Sequence, residues 1–367
     1  MDVTLWVADA LTGNVVGELP AVSGSLSQRF GGGTCQVTVP LGHLTKRDST
    51  EVDWPAVSRM IGLVTGGKRT LVLTAGTAVL GEWLLMERPE SISDDTVTVQ
   101  GIEWDGYPAL RSLHASYEYT STDQLTIARK LLLDAFQGWQ ETFQITVPTA
   151  TSGVRRTASW RTREGYYSDA LDEIMLPDDG FDWRVEHTGT WSGEALTKVT
   201  RRVVFGSPVL SRSTSIVASH DGPGTRSGNC LSYAQDWDFG QYLHSVYAWG
   251  SGNGAKQLFY EAADNTLSNA GFVKITKNLS FPDVTRSAVL KSLADDVLSA
   301  GQNLRAPAKL SLRVDRIPTL PRVGDVITAR IAPTWTMPTG FDGSMRVGEA
   351  TFPVEAGRLT TVEIGAI

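Results

Sequence analysis

The chain is 367 residues long, more than one ordinary core accommodates, and it calls for about two to four domains. Its 41% apolar content excludes wholesale disorder. With 33 basic and 40 acidic side chains the formal charge is -7, which argues against sequence-independent gripping of a phosphate backbone but is compatible with DNA passing by.

The opening reads as strands: Val3, Leu5 and Val7 alternate with Thr4 and Trp6, and Leu11-Thr12-Gly13-Asn14 supplies a turn before Val15 to Leu19. Cys35, Val37 and Val39 repeat the two-residue period, and further strand-like runs cover 69–76, 78–87 and 96–104. Residues 53–62 predict a short helix, since Pro55 is tolerated in a first turn. The first hundred residues are thus expected to form a small antiparallel barrel or sandwich with a helical excursion. From Ser121 to Phe136 apolar residues at 125, 128, 131, 132, 135 and 136 share one helical face, and Ser121 with Gln124 matches a capping box. A second helix is expected over 167–175, ended by Pro177 and bracketed by strands at 143–147 and 181–185.

Strand signals return at 199–206, 244–250 and 257–262, with Gly/Ser-rich loops expected around 186–194 and 219–229. A last helix spans 285–301, where Val289, Leu293 and Val297 fall four apart and Gly301 suits a left-handed end. Strands at 307–314, 324–331 and 358–367 follow, in a region that Pro318, Pro321, Pro333 and Pro338 cut into short pieces. The expected class is therefore α+β, β-rich and multidomain: a first β-barrel-like domain at 1–104, a small α+β domain at 105–190, a β-rich domain at 191–280, and at 281–367 a helix followed by strands.

Cys35 and Cys230 are the only cysteines, too few and too distant for a disulfide framework, and read as buried small hydrophobes. The start MDVTLWVADALTG lacks a basic n-region, so no secretory signal is expected, and no run of about 18 apolar residues suggests a membrane-spanning helix.

The search for chemistry returns little. His43, His114, His187, His220 and His244 show no zinc spacing. Residues 249–256, WGSGNGAK, carry glycines and a lysine without the order of a phosphate loop, and fit a tight turn between strands. Carboxylates cluster at Asp178-Asp179 with Asp182, at Asp236 with Asp238, and at Asp94-Asp95; with 11 tryptophans in the chain, glycan cleavage by paired carboxylates or glycan binding stays open as an alternative. No catalytic, cofactor or metal residue is assigned, and the chain is expected not to be an enzyme. The aromatic concentrations divide between core and interface; candidate contact residues are Trp104, Tyr107, Trp237, Phe239, Tyr242 and Trp249, together with Asn253.

Four stretches resemble minor tail proteins of tailed actinobacterial viruses, a group related to siphovirus tail-hub and gp27-like baseplate proteins. They are the strand pair, glycine-rich hairpin and CQVTVP within 3–40; GIEWDGYPALRSL at 101–113 running into YEYTSTDQLTIARKLL at 117–132; HSVYAWGSGNG at 244–254; and SAVLKSLADDVLSAG at 287–301 leading to PRVGDVITARI at 321–331. The resemblance implies two tube-like antiparallel β-barrel bodies with helix-containing inserted domains. It also implies a homotrimeric ring at the distal end of the virion tail, made in the host cytoplasm. Such a ring joins the tail tube or distal tail protein to tail-tip or receptor-binding proteins. It leaves a channel for DNA and the tape-measure protein, with no cofactor and no stable membrane insertion.

Overall fold

The computed structural model describes residues 1–20, 23–42, 44–46, 50–88, 95–137, 143–176, 179–222, 228–235, 242–252, 254–282, 284–302, 308–335 and 337–367. The chain opens with β1 (Thr4–Asp9), β2 (Val15–Leu19), β3 (Ser23–Arg29), β4 (Thr34–Pro40), α1 (Trp54–Leu63), β5 (Arg69–Ala75), β6 (Ala78–Glu87), β7 (Thr96–Glu103) and a 3-10 turn at Trp104–Leu110. A middle stretch holds β8 (Tyr117–Asp123), α2 (Gln124–Gln137), β9 (Ile145–Thr146), β10 (Arg155–Trp160), α3 (Tyr167–Met175), β11 (Asp182–Ser192) and β12 (Ala195–Gly206). Next come β13 (Arg212–His220), β14 (Cys230–Ala234), β15 (Ser245–Trp249), β16 (Phe259–Ala263), α4 (Thr266–Asn269), β17 (Thr276–Ser280) and α5 (Ser287–Gln302). The last elements are β18 (Ala308–Arg313), β19 (Asp325–Ile331), β20 (Phe341–Glu355), β21 (Arg358–Leu359) and β22 (Thr361–Ala366). Two compact units result: Met1–Tyr233 with Lys309–Ile367, and Ala234–Ala308.

The first unit is built on one large sheet in the order β14-β18-β22-β20-β3-β4-β7-β6-β5-β1-β2, with β19 and β13 branching from β20. The two tube-like β-barrel bodies expected from the resemblance are not formed: among the described residues no sheet closes into a barrel. The reason lies in β20. Its first part pairs with β19 through Phe341–Arg346, while its second part pairs with β22 on one side and with β3, through Glu349–Val354, on the other. One long strand thus fuses the strands of the chain's start and end into a single open sheet. The ends are not zipped together. At the start of β1 there is only an isolated bridge, Asp2 to Arg358, with hydrogen bonds from the Val3 N–H to the Gly357 carbonyl and from the Leu359 N–H to the Met1 carbonyl, both short of a ladder.

Towards the β2 end of the sheet, β5 and β6 are buried on both faces through most of their length. One covering layer contains β11 and β12, an antiparallel ribbon with the parallel β9 beside it. Behind this ribbon α2 and α3 pack Leu125, Leu131, Phe136, Leu171 and Ile174 against Trp104, Tyr107 and Phe143. Helix α1 starts where expected, with Asp53 Oδ1 accepting from the Ala56 N–H at 3.1 Å and proline in its first turn.

Three local expectations change. Ser121 lies in β8 with φ 45° and forms no capping box; Asp123 supplies the acceptor instead, Oδ1 taking the Leu125 N–H (2.9 Å) and Oδ2 those of Ser152 (3.0 Å) and Gly153 (2.7 Å). Residues 186–192 are not a loop but continue β11, because their polar side chains stand on the exposed face of the ribbon. Gly301 is inside α5 and is not left-handed; a Cβ there would lie 2.7 Å from the Leu243 side chain, so the glycine permits close packing.

The second unit is a sheet in the order β16-β15-β17 covered by α5. Val246, Ala248 and Ala262 meet Leu290, Ala294 and Leu298 on the covered face.

Candidate assembly surfaces and a buried polar seam

The titratable side chains packed most deeply meet between the large sheet and the β11–β12 ribbon. Glu82 is in the middle of β6, while Arg201 is on an inward position of β12 between Val199 and Val203. Arg201 Nε donates to Glu82 Oε2 (2.8 Å), Nη2 to Oε1 (2.7 Å) and Nη1 to the Ala10 carbonyl (2.7 Å). Thr70 Oγ1 donates to Glu82 Oε1 at 2.6 Å. Burial alone would raise the Glu82 pKa, but the charge and hydrogen bonds of Arg201 overcome it and hold the carboxyl at about 2. The pair therefore clamps the β11–β12 ribbon to the large sheet.

His187, paired across the ribbon with Arg201, places Nε2 3.5 Å from Glu82 Oε2. Burial, reinforced by Arg184 and Arg201, pushes its pKa down to about 4 against the pull of Glu82, so at neutral pH this contact is not an ion pair. The folded protein resists a proton that the unfolded chain accepts near its ordinary pKa of 6.5. Stability should therefore fall by about 3 kcal/mol as pH drops from about 6.5 to 4. Urea titrations across that range should show the slope in the wild type and its loss in His187→Gln. Below about 4.5, Glu82 adds to the acid loss, because its stabilising ionised form is then drawn towards its folded pKa of about 2.

A second buried pair has the opposite sense. Glu103 Oε2 accepts the N–H groups of Gly33 (2.8 Å) and Arg29 (3.2 Å), and Asp105 Oδ1 accepts that of Val185 (2.6 Å). Burial, then the charge of Glu103, raises the Asp105 pKa well above its ordinary value. A raised folded pKa means stability is lost as pH climbs from the unfolded value of about 3.8 through the folded one. Asp105→Asn keeps the acceptor for Val185 and removes that cost, so it should be more stable than the wild type at pH 7–8, with the gain vanishing below about pH 3.8. Equal pH profiles for the two proteins would contradict this.

Chains of polar groups near the surface are structural as well. The Tyr117 hydroxyl donates to Asp134 Oδ2 (2.7 Å) and lies 2.9 Å from that of Tyr167, which hydrogen-bonds His114 Nδ1. Burial raises both tyrosine pKa values, the reverse of what a nucleophile needs. Asp179 pairs with Arg156 and Asp182 with Arg346. Among the described residues no group of three or more His, Cys, Asp or Glu could hold a metal ion. Cys35 and Cys230 are both buried and free. No described helix is long and apolar enough to cross a membrane, a statement that leaves strands aside.

The candidate contact residues fall into three groups. Trp104, Tyr107 and Tyr242 are in the interior of their units. Trp104 stacks between Phe143 (4.9 Å between ring centres) and the Arg201 guanidinium (4.7 Å to the ring centre). Trp237, Phe239 and Asn253 are outside the described residues, as are Asp94, Asp178, Asp236, Asp238 and His43. Trp249 alone of the seven is both described and exposed. It stands on the face of the small sheet opposite α5, with Phe259 directly across at 4.6 Å between ring centres and Tyr247 6.0 Å from Phe259. Of these rings only Trp249 was expected from the sequence as a contact; β16, paired with β15, was needed to bring Phe259 beside it. Trp335, 94% exposed in the β19–β20 connection, and Trp54 at the start of α1 were also not singled out. A cleft of ≈ 780 Å³ gathers Trp6, Trp191, Asp2, Glu18 and Glu194, with the two indoles edge to face at 6.2 Å.

The open, branched sheet, the helix-bearing middle stretch and the small helix-backed sheet are similar in fold to solved tail proteins. The tail protein from Neisseria meningitidis MC58 is similar over 100% of this chain and 96% of its own, with a TM-score of 0.62 at 10% identity. The 43 kDa tail protein of prophage MuSo2 from Shewanella oneidensis is similar over 100% of this chain and 98% of its own, with a TM-score of 0.61 at 10% identity. The lidded Francisella PdpA–VgrG complex contains a chain similar over 100% of this one and 52% of its own, with a TM-score of 0.51 at 11% identity. No protein-family model matches the sequence, and no curated protein matches it. The likeness is one of fold.

Proposed function

We propose that this chain is a non-enzymatic structural subunit of a bacterial-virus tail, a hub that joins the tail tube or distal tail protein to the tail-tip or receptor-binding apparatus. The observation that carries this reading is the end-to-end likeness to two tail proteins, which spans 100% of the chain. In its finer form the subunit forms a homotrimeric ring at the distal end of the tail of a siphovirus of actinobacteria. The ring leaves a channel through which DNA and the tape-measure protein pass. The sealed position of Glu82, Glu103 and Asp105 agrees with a non-catalytic role, since acids of a hydrolase must reach a cleft.

The exposed Trp249–Phe259 pair is the contact surface in this reading, because large rings give much contact area at low entropy cost. Trp249→Ala and Phe259→Ala should each change subunit stability by less than about 1 kcal/mol, yet reduce incorporation into particles several-fold. Variants that incorporate like the wild type would remove this face from the assembly.

A glycan-binding tip component is the second reading, and one observation favours it: the cleft that sets Trp6 and Trp191 beside Asp2, Glu18 and Glu194. Titration of host cell-wall oligosaccharide against the Trp6→Ala variant and the wild type tests it through tryptophan fluorescence. An unchanged emission in the wild type would dismiss it.

A further inference from the structure

A separate cleft of ≈ 480 Å³ opens beside Arg212 and Arg322, walled by Ala75, Ala78, Leu80 and Leu320. We infer that this cleft is a carboxylate-binding site, in which Arg322 receives either an acidic side chain of a neighbouring chain or a small free carboxylate. The site does not depend on the hub reading; only the source of the carboxylate does.

Three guanidinium groups gather here, each matched differently. Arg212 Nη1 donates to Glu186 Oε1 (2.6 Å), Nε to Asp325 Oδ1 (3.0 Å) and Nη2 to the Val323 carbonyl (3.3 Å). Arg184 Nη1 donates to the same carbonyl at 3.1 Å, and its charge is felt by the buried Glu103 and Asp105. Arg322 is half-buried, and its side chain makes one long bond, Nη2 to the Val79 carbonyl at 3.3 Å. Among the described residues no carboxylate lies within 4.0 Å of its guanidinium; the Asp325 carboxylate meets the Arg322 backbone N–H instead. A guanidinium offers five donors in a planar fork, so most of this one's capacity is unused. Burial and the like charges of Arg212 and Arg184 depress its pKa against the weaker pull of Glu186 and Asp325, so an added anion at the fork would be favoured.

The walls select among anions. Leu80 and Leu320 displace water, and a bidentate carboxylate gains from a fork presented in such a setting. Asp325 also lines the cleft, its Oδ2 accepting the Arg322 N–H at 2.8 Å. That fixed negative charge repels a dianion more than a monoanion, which favours carboxylate over phosphate. Ser213 and Thr319 also line the cleft and carry hydroxyls, whereas the Thr214 hydroxyl is committed to the Val326 carbonyl at 2.8 Å.

The test compares wild type, Arg322→Gln and Ala78→Phe. Ala78 is exposed at the mouth, so the phenyl ring fills the cleft without touching the core or the arginine; circular dichroism verifies that both variants fold. Melting temperature is followed while sodium acetate replaces sodium chloride at constant ionic strength, and self-association is followed by light scattering. A free-carboxylate site gives a saturable rise in the wild type that weakens at least about tenfold in Arg322→Gln and disappears in Ala78→Phe, with association unchanged. A site filled by a neighbour's acidic side chain gives loss of association in both variants. If neither variant alters the acetate response or the association state, the inference is overturned.

Discussion

Arg201→Met should lower the free energy of unfolding by about 3–5 kcal/mol, the usual consequence of leaving a buried charge without its partner. The side chains of Arg201 and Glu82 are both 0% exposed, and the arginine supplies two of the three hydrogen bonds the carboxylate receives. With Arg201 gone, Thr70 Oγ1 is the one hydrogen-bond donor left, so the carboxylate must either stay charged in a buried layer or take up a proton, burial now raising its pKa with no arginine to oppose it. The Ala10 carbonyl also loses its donor. The double variant Glu82→Met with Arg201→Met should recover most of the loss, since replacing a buried pair by apolar groups of similar volume is often neutral. Denaturant unfolding of the three proteins measures this directly. A single-variant cost below about 1 kcal/mol would mean that the seam does not clamp the ribbon.

Trp104→Ala should cost about 3–5 kcal/mol by the removal of a large side chain from a packed site. Its indole is fully buried between the Phe143 ring and the Arg201 guanidinium, with Tyr107 5.8 Å away between ring centres. Trp104→Phe should cost far less. It keeps an aromatic face for Arg201 and removes an indole N–H that has no hydrogen-bond partner. Because Trp104 touches Arg201, the two losses should not add; the double variant should fall short of their sum. An alanine variant of unchanged stability that fails to assemble would give Trp104 the contact role expected from the sequence.

Local structure was legible wherever one period governed a whole element. The apolar spacing of 125–136 marked α2, the stripe of 289–298 marked α5, and the strands β5, β6, β7 and β19 lie where alternating or apolar runs placed them. Short-range chemistry was less legible. The pairing of Ser121 and Gln124 looked like a helix cap, but the Gln124 N–H donates to the Val154 carbonyl and the Ser121 N–H to Thr157 Oγ1, while Asp123 caps Leu125 and holds the 152–153 turn. β20 was missed because Gly343, Gly348 and Pro353 interrupt its pattern. Missing it removed the strand that fuses the ends of the chain, so one open sheet was read as two closed bodies.

The polar seam was half-visible. A glutamate in the middle of AVLGEWLLME and an arginine at an inward position of VTRRVV each break an apolar pattern, and a buried charge needs a partner. Their separation of 119 residues hid the match. Of the aromatic residues, sequence could mark size and spacing but not which side of a sheet would stay uncovered. That distinction requires α5 to be seen on one face and Trp249 with Phe259 on the other.

Cryo-electron microscopy of intact particles carrying a small tag on this chain tests the central claim most directly. The account predicts tag density at the distal end of the tail, in a ring with threefold symmetry around an open axial channel. Density at another place on the particle, or a complete tail without the tagged chain, would contradict it.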